Sequence, residues 1–183
     1  FILFAILQYW IWRSPFFKTN HLPHWYSNAL FTAKALGGIA LFFIYTLYYT
    51  NREQADIFKF YDDGLRLHQI ISENKTSGIK ILLGNTDTTT LADEAQLCNW
   101  RRYFTKTMIN ENRLLIRCNA VLSYITLGYY QIHNLLFCFL SFLGFWTLTK
   151  TITPFLSKRN ALLWGILLFS PSILIWTDGL LKE

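Results

Sequence analysis

Charge is what this sequence has least of. Asp, Glu, Lys and Arg together make up 15% of its 183 residues, where a soluble domain carries about a quarter. So few charges cannot wet the whole surface of a globule, which argues against water as the main solvent. Cysteine is also scarce: Cys98, Cys118 and Cys138 form no C-x-x-C pair, so a zinc or redox motif is not supported. Cys138 sits in an apolar run as a small core residue, and Cys98 could meet Cys118 only in an oxidising compartment. There is no Gly-rich phosphate loop, no G-x-S-x-G, no H-E-x-x-H, no internal repeat and no low-complexity tract. The net charge of +6 does not imply nucleic acid, because no basic run is interleaved with exposed aromatics. In a membrane protein such a surplus reports cytoplasmic loops and contact with anionic lipid.

What is abundant is apolar. Hydrophobic residues make up 52% of the chain, with 16 Phe, 10 Tyr and 7 Trp. Residues 1–12 (FILFAILQYWIW) are apolar but short of the roughly 20 residues a membrane span needs. They read as part of a span that begins earlier, in a longer natural protein expected to continue beyond one or both ends of this sequence. They lack the basic start and small-residue cleavage site of a signal peptide. Residues 28–50 form a first full span. Lys34 is near enough to its basic end to snorkel, Gly37-Gly38 allow close helix packing, and Tyr45, Tyr48 and Tyr49 form an aromatic belt.

Residues 51–117 are the large polar segment. Thr50-Asn-Arg-Glu53 reads as a capping box, leading into a helix with Ile57, Tyr61, Leu65 and His68 on one stripe. SENKTSG (72–78) and GNTDTTT (84–90) read as turn-rich breaks. A second helix is expected over 91–112, with Leu97, Trp100, Phe104 and Met108 as its apolar stripe and Arg101, Arg102 and Lys106 off it, lying on a membrane or covering a membrane domain. Residues 114–127 read as a short amphipathic helix that Gly128 breaks. Residues 129–149 form a second full span, and 161–176 a last one, kinked or ended by Pro171.

The expected fold is therefore an all-α integral membrane protein. It has about three full transmembrane helices plus a partial N-terminal one, and a large extracytoplasmic loop with amphipathic juxtamembrane helices. Its parts are 1–50, 51–117 and 118–183. Connectors 13–27 and 150–160 carry basic charges and no acid. Two spans separate them, so they share a side, which the positive-inside rule makes cytoplasmic. Loop 51–117 and the tail 177–183 then lie outside.

That outer side gathers carboxylates: Asp56, Asp62 and Asp63 past the first full span, and a second acidic site of Asp178 and Glu183 past the last. Carboxylates so placed suit a general base on an acceptor hydroxyl or a cation site. Equally, Asp62-Asp63-Gly64 suits a solvated helix end. Asp62, Asp63 and Asp178 are expected to line one outward-facing cavity. Arg52, Arg66 and Lys182 are candidates to hold a phosphate by charge-assisted hydrogen bonds, while Lys59, Arg101 and Arg102 suit lipid headgroups as well. His21 and His24 fall on the cytoplasmic side, and His68 and His133 outside. A bis-histidine haem from the last two needs facing rings at one depth, and no cofactor is expected. Asn74-Lys75-Thr76 matches a glycosylation sequon.

Two stretches carry a resemblance: YTLYYTNREQADIFKFYDDG (45–64) and LLFSPSILIWTDGLLKE (167–183). The second resembles the P-S-x-x-x-W-x-x-G-x-x-K-E signature of multi-span bacterial membrane proteins similar to the GT-C class of polyprenyl-phosphate-sugar glycosyltransferases, in the Bacteroidetes group above all. The resemblance implies an inner-membrane enzyme with loop 51–117 in the periplasm. It also implies a polyprenyl-phosphate-linked sugar donor in the outer leaflet, and a base drawn from Asp56, Asp62 or Asp63. The chain departs from the family's plan in two ways. Its acidic loop follows the second apolar segment, and it has about three full spans where the family has many more. The alternative, from a different class, is a non-catalytic accessory subunit of a larger respiratory or secretion assembly, with lipids and other membrane subunits as partners. A transporter is disfavoured because no span carries a buried acid at its midpoint.

The topology has a direct test. With Cys98 and Cys118 replaced by Ser, an Asn85→Cys chain is expected to react with an impermeant maleimide in intact spheroplasts. Labelling only after lysis would invert the topology.

Overall fold

An apolar run without side chains that compete for its backbone satisfies its amides most simply as a helix. That is the outcome in the computed structural model, which describes residues 1–20, 22–48, 52, 55–100 and 111–176, the side chains of Asp56, Glu111, Ile175 and Trp176 excepted. Every regular element among the described residues is helical. In order they are α1 (Ile2–Arg13), α2 (Tyr26–Tyr48), α3 (Asp56–Glu73), α4 (Lys75–Leu83), α5 (Leu91–Glu94), α6 (Glu111–Thr126), α7 (Tyr130–Ile152), α8 (Lys158–Leu168) and α9 (Pro171–Trp176), with 3₁₀ turns at Pro15–Phe17 and Thr153–Phe155. Two helical stretches are long and apolar enough to cross a membrane, Tyr26–Tyr48 and Tyr130–Phe155. The expected last span is not one helix: α8 and α9 are 11 and 6 residues long and part at Phe169 and Ser170, just before Pro171. Proline cannot donate an amide to a helix interior, so it starts the second piece instead.

The chain divides into two structural units, one of Phe1–Tyr48 with Asn134–Glu183 and one of Tyr49–His133. The first is built on aromatic rings. Phe17, Phe31, Phe142 and Trp146 are all at most 1% exposed. Phe17 stacks on Phe142 at 5.5 Å, and Phe31 meets Phe139 edge-on at 5.5 Å. Polar contacts tie the helices where hydrophobic burial alone is not specific. The Gln8 amide donates to Thr32 Oγ1 at 2.7 Å, Asn28 donates back to the Gln8 carbonyl at 2.9 Å, and the Tyr26 hydroxyl donates to the Gly165 carbonyl. Gly38 lets α2 approach α7: a Cβ there would lie 2.7 Å from Cys138 Sγ and 2.8 Å from Asn134 Nδ2, as the Gly-Gly pair suggested. Lys34 does not snorkel. It is 0% exposed, and its ammonium lies 5.0 Å from the Phe145 ring centroid and donates to the Ile173 carbonyl at 3.4 Å. The packing of α9 onto α2 covers the route to the surface.

In the second unit α3 and α6 are the central pair. The stripe read from the sequence is rotated. Ile57 and Tyr61 are buried as expected, but the face continues through Gly64, Leu67, Ile70 and Ile71 rather than Leu65 and His68, which are half-buried. Gly64 is thus no helix end. It sits inside α3 at the crossing with α6, where an added Cβ would collide with Asn119 Cβ and lie 3.1 Å from the Ile116 carbonyl oxygen. The expected break at 72–78 contracts to Asn74, whose side chain caps α4 by accepting from the Ser77 amide at 3.3 Å. Residues 84–90 hold the expected loop, opened by Gly84 at φ 81°. The capping box falls on Thr50 and Glu53, outside the described residues. The helix starts later, at Asp56, and Ala55 before it, at the N-cap, offers no side-chain cap.

The helix expected over 91–112 is also corrected. α5 ends at Glu94, and turns carry the chain through Leu97 to Trp100. Trp100 is 0% exposed and packs with Leu67, Ile70, Ile81, Leu97 and Ile116, so it faces protein. Phe104, Met108, Arg101, Arg102 and Lys106 lie outside the described residues.

The close α3–α6 crossing gives a prediction. Gly64→Ala is expected to cost the second unit about 1–3 kcal/mol, the usual effect of overpacking, seen as faster trypsin cleavage within 55–133. A variant as protease-resistant as wild type would show that the crossing has room for a methyl group.

Candidate functional site

The adjacent acids Asp62 and Asp63, inside α3, have different fates, set by the helical rotation of about 100° between successive residues. Asp62 faces outward, with its side chain 42% exposed. Both its oxygens are held by one guanidinium: Arg52 Nε donates to one and Nη2 to the other, each at 2.8 Å. Arg52 in turn lies 4.0 Å from the Phe58 ring centroid, and its hydrogen bonds to Asp62 push its pKa further up. The arrangement is the bidentate fork that Arg makes with carboxylates.

Asp63 turns inward and is 5% exposed. Its carboxylate accepts from two backbone amides, Cys98 at 3.2 Å and Asn99 at 2.6 Å. These bonds hold the turn after α5, and they explain why the helix expected at 91–112 stops. Amides taken by a side chain are not available to a helix. Neighbouring bonds complete the clamp: Asn112 Nδ2 donates to the Asn99 carbonyl at 3.1 Å, and Arg113 Nε donates to the Trp100 carbonyl at 3.2 Å. The guanidinium groups of Arg113 and Arg117 lie 5.1 and 5.2 Å from the Trp100 ring centroid. Asp63 is therefore a buried structural carboxylate.

The other candidates are dispersed. Arg66 donates to the Gln96 side chain, to Gln69 Oε1 at 3.0 Å, and pairs with Glu73 at 3.6 Å. A guanidinium so engaged is a poor free phosphate hook. Asp56 opens α3. Asp178, Lys182 and Glu183 lie outside the described residues, as does His21, so the cavity expected to join Asp178 to the Asp pair falls there too. His133 is 0% exposed. Its Nδ1 shares a 2.7 Å hydrogen bond with Thr126 Oγ1, and its Nε2 donates to the Asn119 carbonyl at 3.2 Å, which leaves neither nitrogen for a haem iron. Among the described residues no group of three His, Cys, Asp or Glu side chains converges as metal ligands. The three cysteines are free thiols.

Two features were not anticipated. An open cavity of about 540 Å³ lies beside His68, lined also by Leu65, Gln69, Ser123, Tyr124 and Gly128, with the His68 ring edge-on to Tyr124 at 4.2 Å. A smaller one, of about 240 Å³, lies in the first unit between Lys18 and Lys150. No protein-family model, curated protein or solved structure matches the chain.

The clamp has a pH signature. Burial pushes the Asp63 carboxyl above its ordinary value of 3.8, against the opposing pull of the Asn99 and Cys98 amides. A raised folded-state value means that the folded chain holds the proton more tightly than the unfolded one. The stability contribution is then full below 3.8 and is lost as pH rises through the raised value. The melting temperature of wild type is expected to fall relative to that of Asp63→Asn as pH rises from 3.8 through the raised value. A wild type that gains on the variant over that range would reverse the sign.

Proposed function

We propose that this chain is part of a GT-C-like bacterial inner-membrane glycosyltransferase acting on a polyprenyl-phosphate-linked sugar at the outer leaflet, with Asp62 as the base. One observation carries the reading. Within a short stretch after the apolar α2, Asp62 is a half-exposed carboxylate held in a fixed orientation by the Arg52 fork. Positioning of that kind suits a general base, which must be oriented yet reachable by an acceptor hydroxyl. In this reading α2 and α7 cross the bilayer. The pair α8–α9 is a third, broken crossing, α1 belongs to a partial one, and 51–117 is periplasmic.

The step conserves charge and atoms. The acceptor hydroxyl passes its proton to Asp62 as its oxygen bonds to the sugar's anomeric carbon. The bond from that carbon to the phosphate oxygen breaks, and polyprenyl phosphate leaves as the anion. Lys182 is the candidate to neutralise that anion, since Arg52 is committed to Asp62 and Arg66 is engaged elsewhere.

A second reading has its own support. On α6, outside the membrane-length helices, Leu114, Val121 and Ile125 are exposed at 63%, 48% and 72%, a stripe at helical spacing. A stripe of that kind suits the surface of another membrane subunit, as an accessory protein would need.

Transfer from a polyprenyl-phosphate sugar, assayed in membranes of the native host, separates the two. Asp62→Asn is expected to lower transfer by about a hundredfold or more at unchanged protein level, while Asp63→Asn lowers the level itself. Transfer at the wild-type rate in Asp62→Asn removes Asp62 as base. Absence of transfer in wild type, with a stoichiometric membrane partner in the purified complex, favours the accessory subunit.

A further inference from the structure

The first unit is a cationic body. Among its described residues Arg13, Lys18, Lys34, Lys150, Lys158 and Arg159 are basic, and not one is acidic. The three described salt bridges, Arg52–Asp62, Arg66–Glu73 and Lys80–Asp87, all belong to the second unit. No carboxylate among the described residues pairs with Lys18 or Lys150.

These two lysines share the cavity of about 240 Å³, whose lining is completed by Thr19, Asn20, Thr153 and Pro154. Its walls are fixed from below. Trp146 Nε1 donates to the Phe16 carbonyl at 3.2 Å, the Ser14 hydroxyl accepts from the Phe16 amide at 3.3 Å, and Phe17 is locked in the aromatic core. Those contacts set the 3₁₀ turn from which Lys18–Asn20 emerges. Across the cavity, Lys150 lies in the last turn of α7 with its ammonium 4.7 Å from the Phe16 ring centroid. Thr153 lines the cavity although it is only 2% exposed, and Thr19 and Asn20 add polar side chains. The carbonyl end of α7 is itself unfavourable to an anion, so the attraction falls on the two ammonium groups. The volume is below the range that encloses a whole drug-sized ligand, and the cavity belongs to the unit that holds Tyr26–Tyr48 and all but the first turn of Tyr130–Phe155.

We propose that this cavity binds the phosphate of an anionic phospholipid headgroup, with Lys18 and Lys150 as the paired cations, Thr19, Asn20 and Thr153 as hydrogen-bond partners, and the acyl chains outside the cavity along the apolar helices. A compact headgroup fits the size, two lysines at one cavity favour a net-negative headgroup over one whose own quaternary ammonium balances its phosphate, and a unit without described acids leaves the counter-charge to its surroundings. The site is separate from the Asp62 chemistry and stands whether or not the chain transfers sugars. It requires only that α2 and α7 lie in a bilayer.

Native mass spectrometry of the purified full chain in a neutral detergent tests it, with phosphatidylglycerol, phosphatidylcholine and inorganic phosphate as probes. Wild type is expected to retain one phosphatidylglycerol at concentrations where phosphatidylcholine is lost. Lys18→Gln with Lys150→Gln should weaken that binding by roughly tenfold to thirtyfold. Lys158→Gln with Arg159→Gln, an equal loss of charge outside the cavity, should change it less than threefold. Equal retention of the two lipids by wild type overturns the proposal without any variant. Equal weakening by both double variants overturns the site in favour of diffuse charge. Displacement of phosphatidylglycerol by millimolar inorganic phosphate, with no preference between lipids in its absence, would assign the cavity to a soluble phosphate and overturn the lipid.

Discussion

A backbone amide in apolar surroundings has to find an acceptor, and this chain depends on that constraint throughout. Where side chains offer nothing, the amides turn to their own carbonyls and helices result, from α1 to α9. Where the chain has to leave the helical path inside the second unit, a side chain has to stand in. Asp63 does so for Cys98 and Asn99, and Asn74 does so for Ser77 at the join of α3 and α4. The two amides offset only part of the cost of burying the Asp63 carboxylate, and the bonds they make hold the turn that leads to the buried Trp100.

Much of this was legible because hydropathy and length are one-dimensional properties. The limits of α2 and α7 fall within three residues of those read from the sequence, since an apolar run of that length has few alternatives. The rotation of α3 was less legible. Reading Leu65 and His68 into the stripe followed apolar spacing and gave Gly64 no place on the buried face. Gly64 instead marks the place where another helix comes closest, and only the neighbour, Asn119, reveals that. The 91–112 helix was misread for a related reason. Its apolar spacing was genuine, with Leu97 and Trp100 both buried, but the acid that captures its amides lies 35 residues earlier. A non-local competitor leaves no trace in local periodicity.

The candidate site shows the same division. The sequence found the carboxylates and the guanidinium groups but treated Asp62 and Asp63 as equivalent. One step along a helix separates an exposed, Arg-held carboxylate from a buried clamp. The network of His133, Thr126 and Asn119 joins the end of α6 to the start of α7, and nothing in the spacing of those residues distinguishes it from ordinary surface polarity.

Lys34 carries a consequence for how the molecule is made. Its ammonium lies against Phe145 and the Ile173 carbonyl, groups translated more than a hundred residues later. A lysine inside a lone apolar helix costs about 2.5–3.5 kcal/mol at the bilayer centre. If α2 crosses a bilayer, a lone α2 keeps Lys34 turned toward the headgroups. The lysine exchanges them for Phe145 and the Ile173 carbonyl only once α7 and α9 have been made, so the final setting of α2 follows the synthesis of the C-terminal helices.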